Sequence, residues 1–352
     1  MNKFIVIGAG PAGAGAAIAA SKLGEDVVVY EANNAPGVKP CGRGIPVIGE
    51  LPIRVPRDSV YHEIHGAIMY VNGEFLFEMK GVLSGYIVDK TLFLESLIIE
   101  SGAELVKNAK YIPSEGVVKA NGMVINIPGS GVFAGGHPYY EGEKILAVQY
   151  RIKTSEFDDS DMLEIYFDTE ILGYFYVFPA APGYVDVGVG GFKGFRDLKR
   201  LLDAFIAKDD RFRDRDRVKL EGARIAVGGI KYGYIRGLVK VGEAAGFVLP
   251  LTGEGIRPSL LSGYEAARAI IEGRDPIKAM DSMDISRAIR IQRRILEYVK
   301  DLDPDSRAEL LKSLPMEVHA EVSLGTLNVG RILSSLASKP RVAAKLLKFI
   351  VS

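Results

Sequence analysis

Gly8, Gly10 and Gly13 stand between a short apolar run, Phe4 to Ile7, and an alanine-rich stretch ending near Gly24; an acid, Glu31, closes the next apolar run, Val27 to Tyr30. Strand, Gly-x-Gly-x-x-Gly, helix, strand and acid form a pattern that suits a dinucleotide. Gly8 permits the tight turn, Gly10 lets the backbone approach a pyrophosphate, and Gly13 allows the helix to pack close to the sheet. The helix N-terminus, entered through Pro11 and Ala12, offers free N–H groups and the positive end of its dipole. Glu31, followed by Ala32, is placed to accept hydrogen bonds from an adenosine ribose. An acid there, rather than a small residue with an arginine, disfavours a 2'-phosphate, so FAD or NAD is expected over NADP.

A second glycine cluster separates these two cofactors. Leu238 to Val241 reads as a strand, and Gly242-Glu243-Ala244-Ala245-Gly246 as an acidic turn; Gly253-Glu254-Gly255-Ile256 then opens a helix. One phosphate-binding turn suffices for NAD, whereas FAD needs a second place where the chain returns to hold the ribityl chain and the ring. Glu243 is the candidate partner of a ribityl hydroxyl. The helix beginning near Gly255 directs its positive end at the flavin N1 and C2 carbonyl, where negative charge collects on reduction. FAD is therefore the expected cofactor.

Between the clusters lies Lys39-Pro40-Cys41-Gly42-Arg43-Gly44, a loop by its glycines and proline. Cys41 reads either as a proton donor or positioning group at the flavin face, or as a small buried hydrophobe. Lys39, Arg43, Arg54 and Arg57 are candidates for a phosphate-bearing head group, against a reading as scattered surface charge.

The uncharged run from Phe4 to Ser21 superficially resembles a signal peptide or membrane span, but its glycines and Pro11 divide it into strand, turn and helix. Asn72-Gly73 and Asn121-Gly122 predict hairpins, the first joining strands within residues 60–79. Residues 90–101 predict a helix, 145–190 a strand-rich aromatic region, 197–208 an amphipathic helix, and Asp209 to Arg217 a solvated charged loop. Residues 276–352 read as helical, with Ile285, Ala288, Ile289, Ile295, Leu296 and Val299 on one face and Arg287, Arg290 and Arg294 opposite. The last stretch, 341–351, sets Lys345 and Lys348 among Leu346, Leu347, Phe349 and Ile350; it fits packing on the protein body or contact with a membrane surface.

Composition narrows the classes. With 352 residues, 48% hydrophobic and 25% charged, the chain is globular and not disordered. Lys plus Arg equals Asp plus Glu at 44 each, so no general field favours nucleic acid. One cysteine and four histidines leave little material for a zinc site, no intrachain disulfide is possible, and a cytoplasmic setting is expected.

The motifs Gly8 to Gly13 with Glu31, Lys39 to Gly42, Ala134-Gly135-Gly136, Tyr174-Phe175-Tyr176-Val177-Phe178-Pro179 and Gly242 to Gly246 through Ile256 together resemble the geranylgeranyl reductases. This archaeal-type family of FAD-dependent enzymes lies in the flavoprotein hydroxylase-like superfamily. Three departures stand out: Tyr176 where the family usually has tryptophan, Asp89-Lys90 for its Asp-Arg, and Gly242-Glu243 for its Gly-Asp. The resemblance implies an α/β protein with a Rossmann-like FAD-binding domain of the glutathione-reductase type, assembled from residues 1–60, 81–138 and 223–275. A second, antiparallel-sheet substrate domain (61–80 and 139–222) and a helical C-terminal region (276–352) complete it. It also implies reduction of isoprenoid carbon-carbon double bonds, with Tyr174, Tyr176, Phe178 and Pro179 at the substrate and Cys41 and Tyr176 as catalytic candidates. NAD(P)H, a ferredoxin or a deazaflavin is the expected external electron donor. An FAD-dependent aromatic hydroxylase and a non-catalytic prenyl-lipid carrier stay open as alternatives; the tryptophan-rich motif of the related halogenases is impossible in a chain with no tryptophan.

Overall fold

The first strand, Phe4–Ile7, is buried along its whole length because it has neighbours on both edges, helices over the face of Phe4 and Val6, and a small antiparallel sheet (109–112, 117–120 and 123–126) over the face of Ile5 and Ile7. In this computed structural model, which describes residues 3–48, 51–82 and 84–337 together with Ala344 and Leu347, the strand pairs in parallel with Val27–Tyr30 on one side and Gly131–Phe133 on the other. Glu104–Val106 extends the sheet beyond Val27–Tyr30, and Leu238–Lys240 joins it in parallel beyond Gly131–Phe133, followed by Tyr234–Ile235 at the edge. Sequence-distant strands thus flank the first glycine turn, which brings the two glycine clusters together.

They meet through their helices. Pro11–Lys22 and Ile256–Ile271 approach backbone to backbone: a Cβ on Gly15 would lie 2.1 Å from the Leu260 carbonyl oxygen, and one on Gly263 would lie 1.8 Å from that of Ala12. Nothing larger than glycine fits either crossing.

The second layer is a seven-stranded sheet in the order 217–226, 144–153, 184–191, 173–179, 162–168, 66–71 and 74–78. It is antiparallel except where Gly66–Val71 runs parallel to Met162–Asp168. The expected boundary at residue 222 falls inside the strand Arg217–Ala226, which stays paired with Lys144–Lys153 up to Ala226. Helix Phe195–Lys208 covers one face of the sheet through Leu198, Leu202 and Ile206. The charged segment after it is less solvated than its composition suggests: Phe212 is fully buried, and Arg211 binds Glu164 and Asp209, each at 2.7 Å. Both Asn-Gly turns form, with Asn72 at φ +50° and Gly73 at +84°, and Asn121 at +50° and Gly122 at +77°.

A small sheet of Gly44–Pro46, Gly85–Val88 and Val60–Ile64 anchors the cysteine loop. Helices Pro276–Asp281, Asp284–Lys300, Pro304–Ser313, Met316–Leu324 and Val329–Ser335 follow, and the fourth of these packs Ala320 against Ala67, Met69 and Met79 of the large sheet. The stretch read as a possible membrane contact, 341–351, lies outside the described residues apart from Ala344 and Leu347. Among the described residues no helix is long and apolar enough to cross a membrane.

Candidate functional site

One cavity of about 720 Å³ runs between the parallel sheet, the large antiparallel sheet and the C-terminal helices. At one end it is walled by Gly8, Gly10, Pro11, Ala12, Glu31 and Ala32, and then by Cys41, Gly42, Arg43, Gly44, Ala134, Gly135 and Glu243, with Gly253, Gly255 and Ile256 at the second cluster. Two of the expected cofactor residues are not on the wall. A Cβ on Gly13 would sit 1.9 Å from the Gly8 carbonyl oxygen, and one on Gly242 would sit 2.6 Å from the Ala12 Cβ. Both serve packing within and between the two motifs.

Gly10 differs from both. Its φ is −72°, open to any residue, and nothing lies within 4 Å of where its Cβ would be. Nothing in the protein excludes a side chain there. The empty space before Gly10, at a helix N-terminus, fits a pyrophosphate drawn close to the backbone. At the adenosine end, the Tyr111 hydroxyl is buried with no partner, and Tyr111 and Tyr139 each contact Phe133. Glu31 is held in place by hydrogen bonds from the Ala9 N–H (2.8 Å) and the Asn33 N–H (2.9 Å). These features fit FAD at this end of the cavity.

Glu243 accepts from the Ala226 N–H at 3.2 Å and pairs with Lys39 at 2.6 Å. This pair ties the cysteine loop to the second glycine cluster. Arg43, another head-group candidate, reaches Asp186 at 2.6 Å from a left-handed backbone (φ +59°), while Arg151 binds the same carboxylate at 2.9 Å. Burial pushes the Asp186 carboxyl up to about 6 against the pull of Arg43. Arg54 and Arg57 line a separate recess with Tyr86 and Glu100.

The aromatic strand Gly173–Pro179 places Tyr174, Tyr176 and Phe178 on the cavity wall. Strand alternation turns Phe175 and Val177 into the opposite core, and Pro179 is buried at the strand end off the wall, opposite Val185. The Tyr176 ring lies over Gly188, where a Cβ would come within 2.3 Å of it, and its hydroxyl donates to Gln149 Oε1 at 2.7 Å. Burial holds this hydroxyl well above its usual range, so it remains a neutral phenol. Gln149 in turn donates to Glu221 at 3.2 Å. Tyr174, pushed up to about 12 by burial, donates to the Thr252 carbonyl beside the second glycine loop. Phe178 packs under Gly42, where a Cβ would come within 2.8 Å of its ring. The cysteine loop is thus seated directly on the aromatic strand.

Beyond Tyr174 the cavity becomes apolar. Leu163, Ile165 and Phe167 form one side, and Leu310, Leu314, Val318 and Val322 of the C-terminal helices the other. Sequence reasoning placed none of these helical residues at the site. Gln292, one of two glutamines in the chain, clips the helices to the cofactor loop by accepting from the Leu251 N–H (3.1 Å) and donating to the Val322 carbonyl (2.8 Å). Both glutamines are buried, and the signal available is an isolated amide, within an apolar strand for Gln149 and on the apolar face of a helix for Gln292. His319, on the same wall, meets the Leu311 carbonyl at 3.0 Å and the Phe77 ring edge-on; burial lowers its pKa. Among the described residues no group of three His, Cys, Asp or Glu is placed to hold a metal.

Residues 6–39 match the family described as an NAD(P)-binding Rossmann-like domain. The chain is 28% identical to the digeranylgeranylglycerophospholipid reductase of Thermoplasma acidophilum, in an alignment that covers 97% of this chain and 98% of that protein. A geranylgeranyl bacteriochlorophyll reductase-like protein from the same organism superposes with a TM-score of 0.80 at 24% identity, covering 99% of this chain and 98% of the other. A flavin-dependent brominase shares the fold with a TM-score of 0.68 at 16% identity, covering 98% of each chain. The likeness to geranylgeranyl reductases carried by the motifs therefore extends along nearly the whole sequence.

Proposed function

We propose that the chain is an FAD-dependent reductase that saturates carbon-carbon double bonds of an isoprenoid lipid. The observation that carries this reading is the continuity of one cavity, from a backbone-built cradle at Gly10 to an apolar channel between Leu163, Ile165 and Phe167 and the C-terminal helices. Bound FAD, once reduced, supplies the hydride. Reduction of an isolated alkene has no neighbouring carbonyl to stabilise charge, so the protein contributes mainly by alignment and exclusion of water. The channel holds the hydrocarbon chain, and Tyr176 and Phe178, fixed by Gln149 and by the cysteine loop, orient the double bond. Cys41, beside these rings, delivers the proton.

Glu31 and Glu243, both on the cavity wall, would hold the ribose and ribityl hydroxyls, and the positive end of the helix from Ile256 would favour negative charge on the reduced ring. NAD(P)H, a ferredoxin and a deazaflavin are the classes of electron donor to test. Residues 341–351 are the candidate for peripheral membrane contact, and deletion of 340–352 should weaken liposome binding.

The decisive experiment is anaerobic. The FAD-loaded protein is reduced chemically, a geranylgeranyl lipid is added, and flavin absorbance is followed. Reoxidation with a product heavier by whole pairs of hydrogens supports the reductase. A flavin oxidised only when oxygen and an aromatic substrate are supplied would replace it with a hydroxylase, and protein that binds prenyl lipid without flavin would replace it with a carrier.

A further inference from the structure

Lys90 opens the helix Lys90–Glu100, whose N-cap is Asp89. Its stem crosses Gly37, and its side chain turns back beneath the cysteine loop, leaving the residue only 8% exposed. The ammonium donates to the Lys39 carbonyl and to Cys41 Sγ, the latter at 3.3 Å. Among the described residues no carboxylate pairs with it. The nearby Asp89 carboxylate is occupied by the Tyr61 hydroxyl (2.6 Å) and by the Thr91 and Leu92 N–H groups (3.0 Å each). Of the other acids near the loop, Glu243 is bound by Lys39, and Asp186 by Arg43 and Arg151.

A buried ammonium with no carboxylate partner stabilises an anion formed in contact with it. Of the two groups the ammonium binds, a backbone carbonyl and the Cys41 sulfur, only the sulfur can become an anion by losing a proton. The geometry points to Lys90 as the residue that stabilises the Cys41 thiolate left after proton delivery and then helps to restore the thiol. This assignment rests on the reductase reading and names the charge partner of its proton donor.

The step balances as follows. The alkene π bond breaks; one carbon takes a hydride, two electrons and a proton, from the reduced cofactor, and the other takes the proton of the Cys41 S–H bond. Two C–H bonds form and a thiolate remains against the Lys90 ammonium. A proton from solvent, passed along the Lys90 N–H to sulfur, returns the thiol and leaves the ammonium charged. Lys90 touches the sulfur and not the lipid, so it is a positioning residue.

Because Cys41 is the single cysteine of the chain, thiol alkylation reports on it alone. The FAD-loaded wild type, Lys90→Met, Lys90→Gln and Lys90→Arg are treated with iodoacetamide near neutral pH, and adduct formation is timed by intact mass. Loss of the charge-assisted contact should slow alkylation about tenfold in Lys90→Met and Lys90→Gln, while Lys90→Arg stays within about threefold of wild type. Folded, FAD-loaded Met and Gln variants that alkylate at the wild-type rate would overturn the assignment. Failure of both neutral variants to fold or load FAD, with Lys90→Arg alkylating like wild type, would also overturn it in favour of a purely structural charge. The alkylation needs no lipid, so a protein that passes this test but leaves geranylgeranyl lipid unreduced would refute the reductase reading while preserving the Lys90–Cys41 pairing.

Discussion

The two ends of the cavity are made of different material. The cofactor end is largely backbone: glycine turns, helix N-termini and residues whose side chains are absent or small. The apolar end consists of side chains from strands and helices far apart in sequence, Leu163 and Ile165 on one side and Leu310 and Val318 on the other. A backbone wall depends on side chains that are missing: an added carbon either strikes the protein itself, as at Gly13, or takes the open space in front of the turn, as at Gly10. A side-chain wall is redundant, and exchanging one residue changes its shape more than its existence.

The first way to break this contrast is also the most damaging. Gly13→Val sets carbon where a Cβ already reaches to 1.9 Å of the Gly8 carbonyl, so overpacking should cost about 3 kcal/mol or more. The expected outcome is little folded protein, read by circular dichroism and thermal melting. Gly10→Val sharpens the comparison, because its side chain meets open space: the fold should survive with a near wild-type Tm while FAD affinity falls about a hundredfold, measured by fluorescence titration. A Gly10→Val protein that loads FAD normally would show that the cradle is not the pyrophosphate site.

At the other end, Val318→Trp fills the channel from the C-terminal helices. FAD binding should be retained and turnover of a geranylgeranyl lipid should fall about tenfold, with a shorter prenyl compound less affected. Equal loss for both chain lengths would mean that the channel does not hold the distal part of the chain. The smallest effect concerns His319 on the same wall. Burial lowers its folded pKa, so below about 6.5, the ordinary histidine value, the unfolded chain takes up the proton first and stability is lost as pH falls. His319→Phe should flatten the decline of Tm below that pH and leave Tm above it little changed. An unchanged slope would place the acid sensitivity elsewhere.

Much of the cofactor end was legible from residues 4–31 and 238–256, because each requirement there is local: a turn, a helix start, an acid at a strand end. Glu31, Gly10 and Gly255 could be assigned without knowing their neighbours. The cysteine loop was legible as a loop, but not its seating on Phe178 or its charge partners Asp186 and Lys90, which come from other elements. The pairing of Lys39 with Glu243 and of Arg43 with Asp186, and the burial of Pro179 opposite Val185, were hidden for the same reason. A charge or ring in sequence does not declare which distant group will neutralise or cover it.

The sequence by itself determined the cofactor class, the order of strands and helices around both glycine clusters, and the aromatic strand facing the site, since backbone sterics and period-two alternation act within a few residues. Only the tertiary structure decided that the C-terminal helices close the channel, that Gln149 and Gln292 fasten its walls, and that Lys90 reaches Cys41. Those contacts join segments many residues apart, and they exist only once burial of the apolar faces has brought the sheets and helices together.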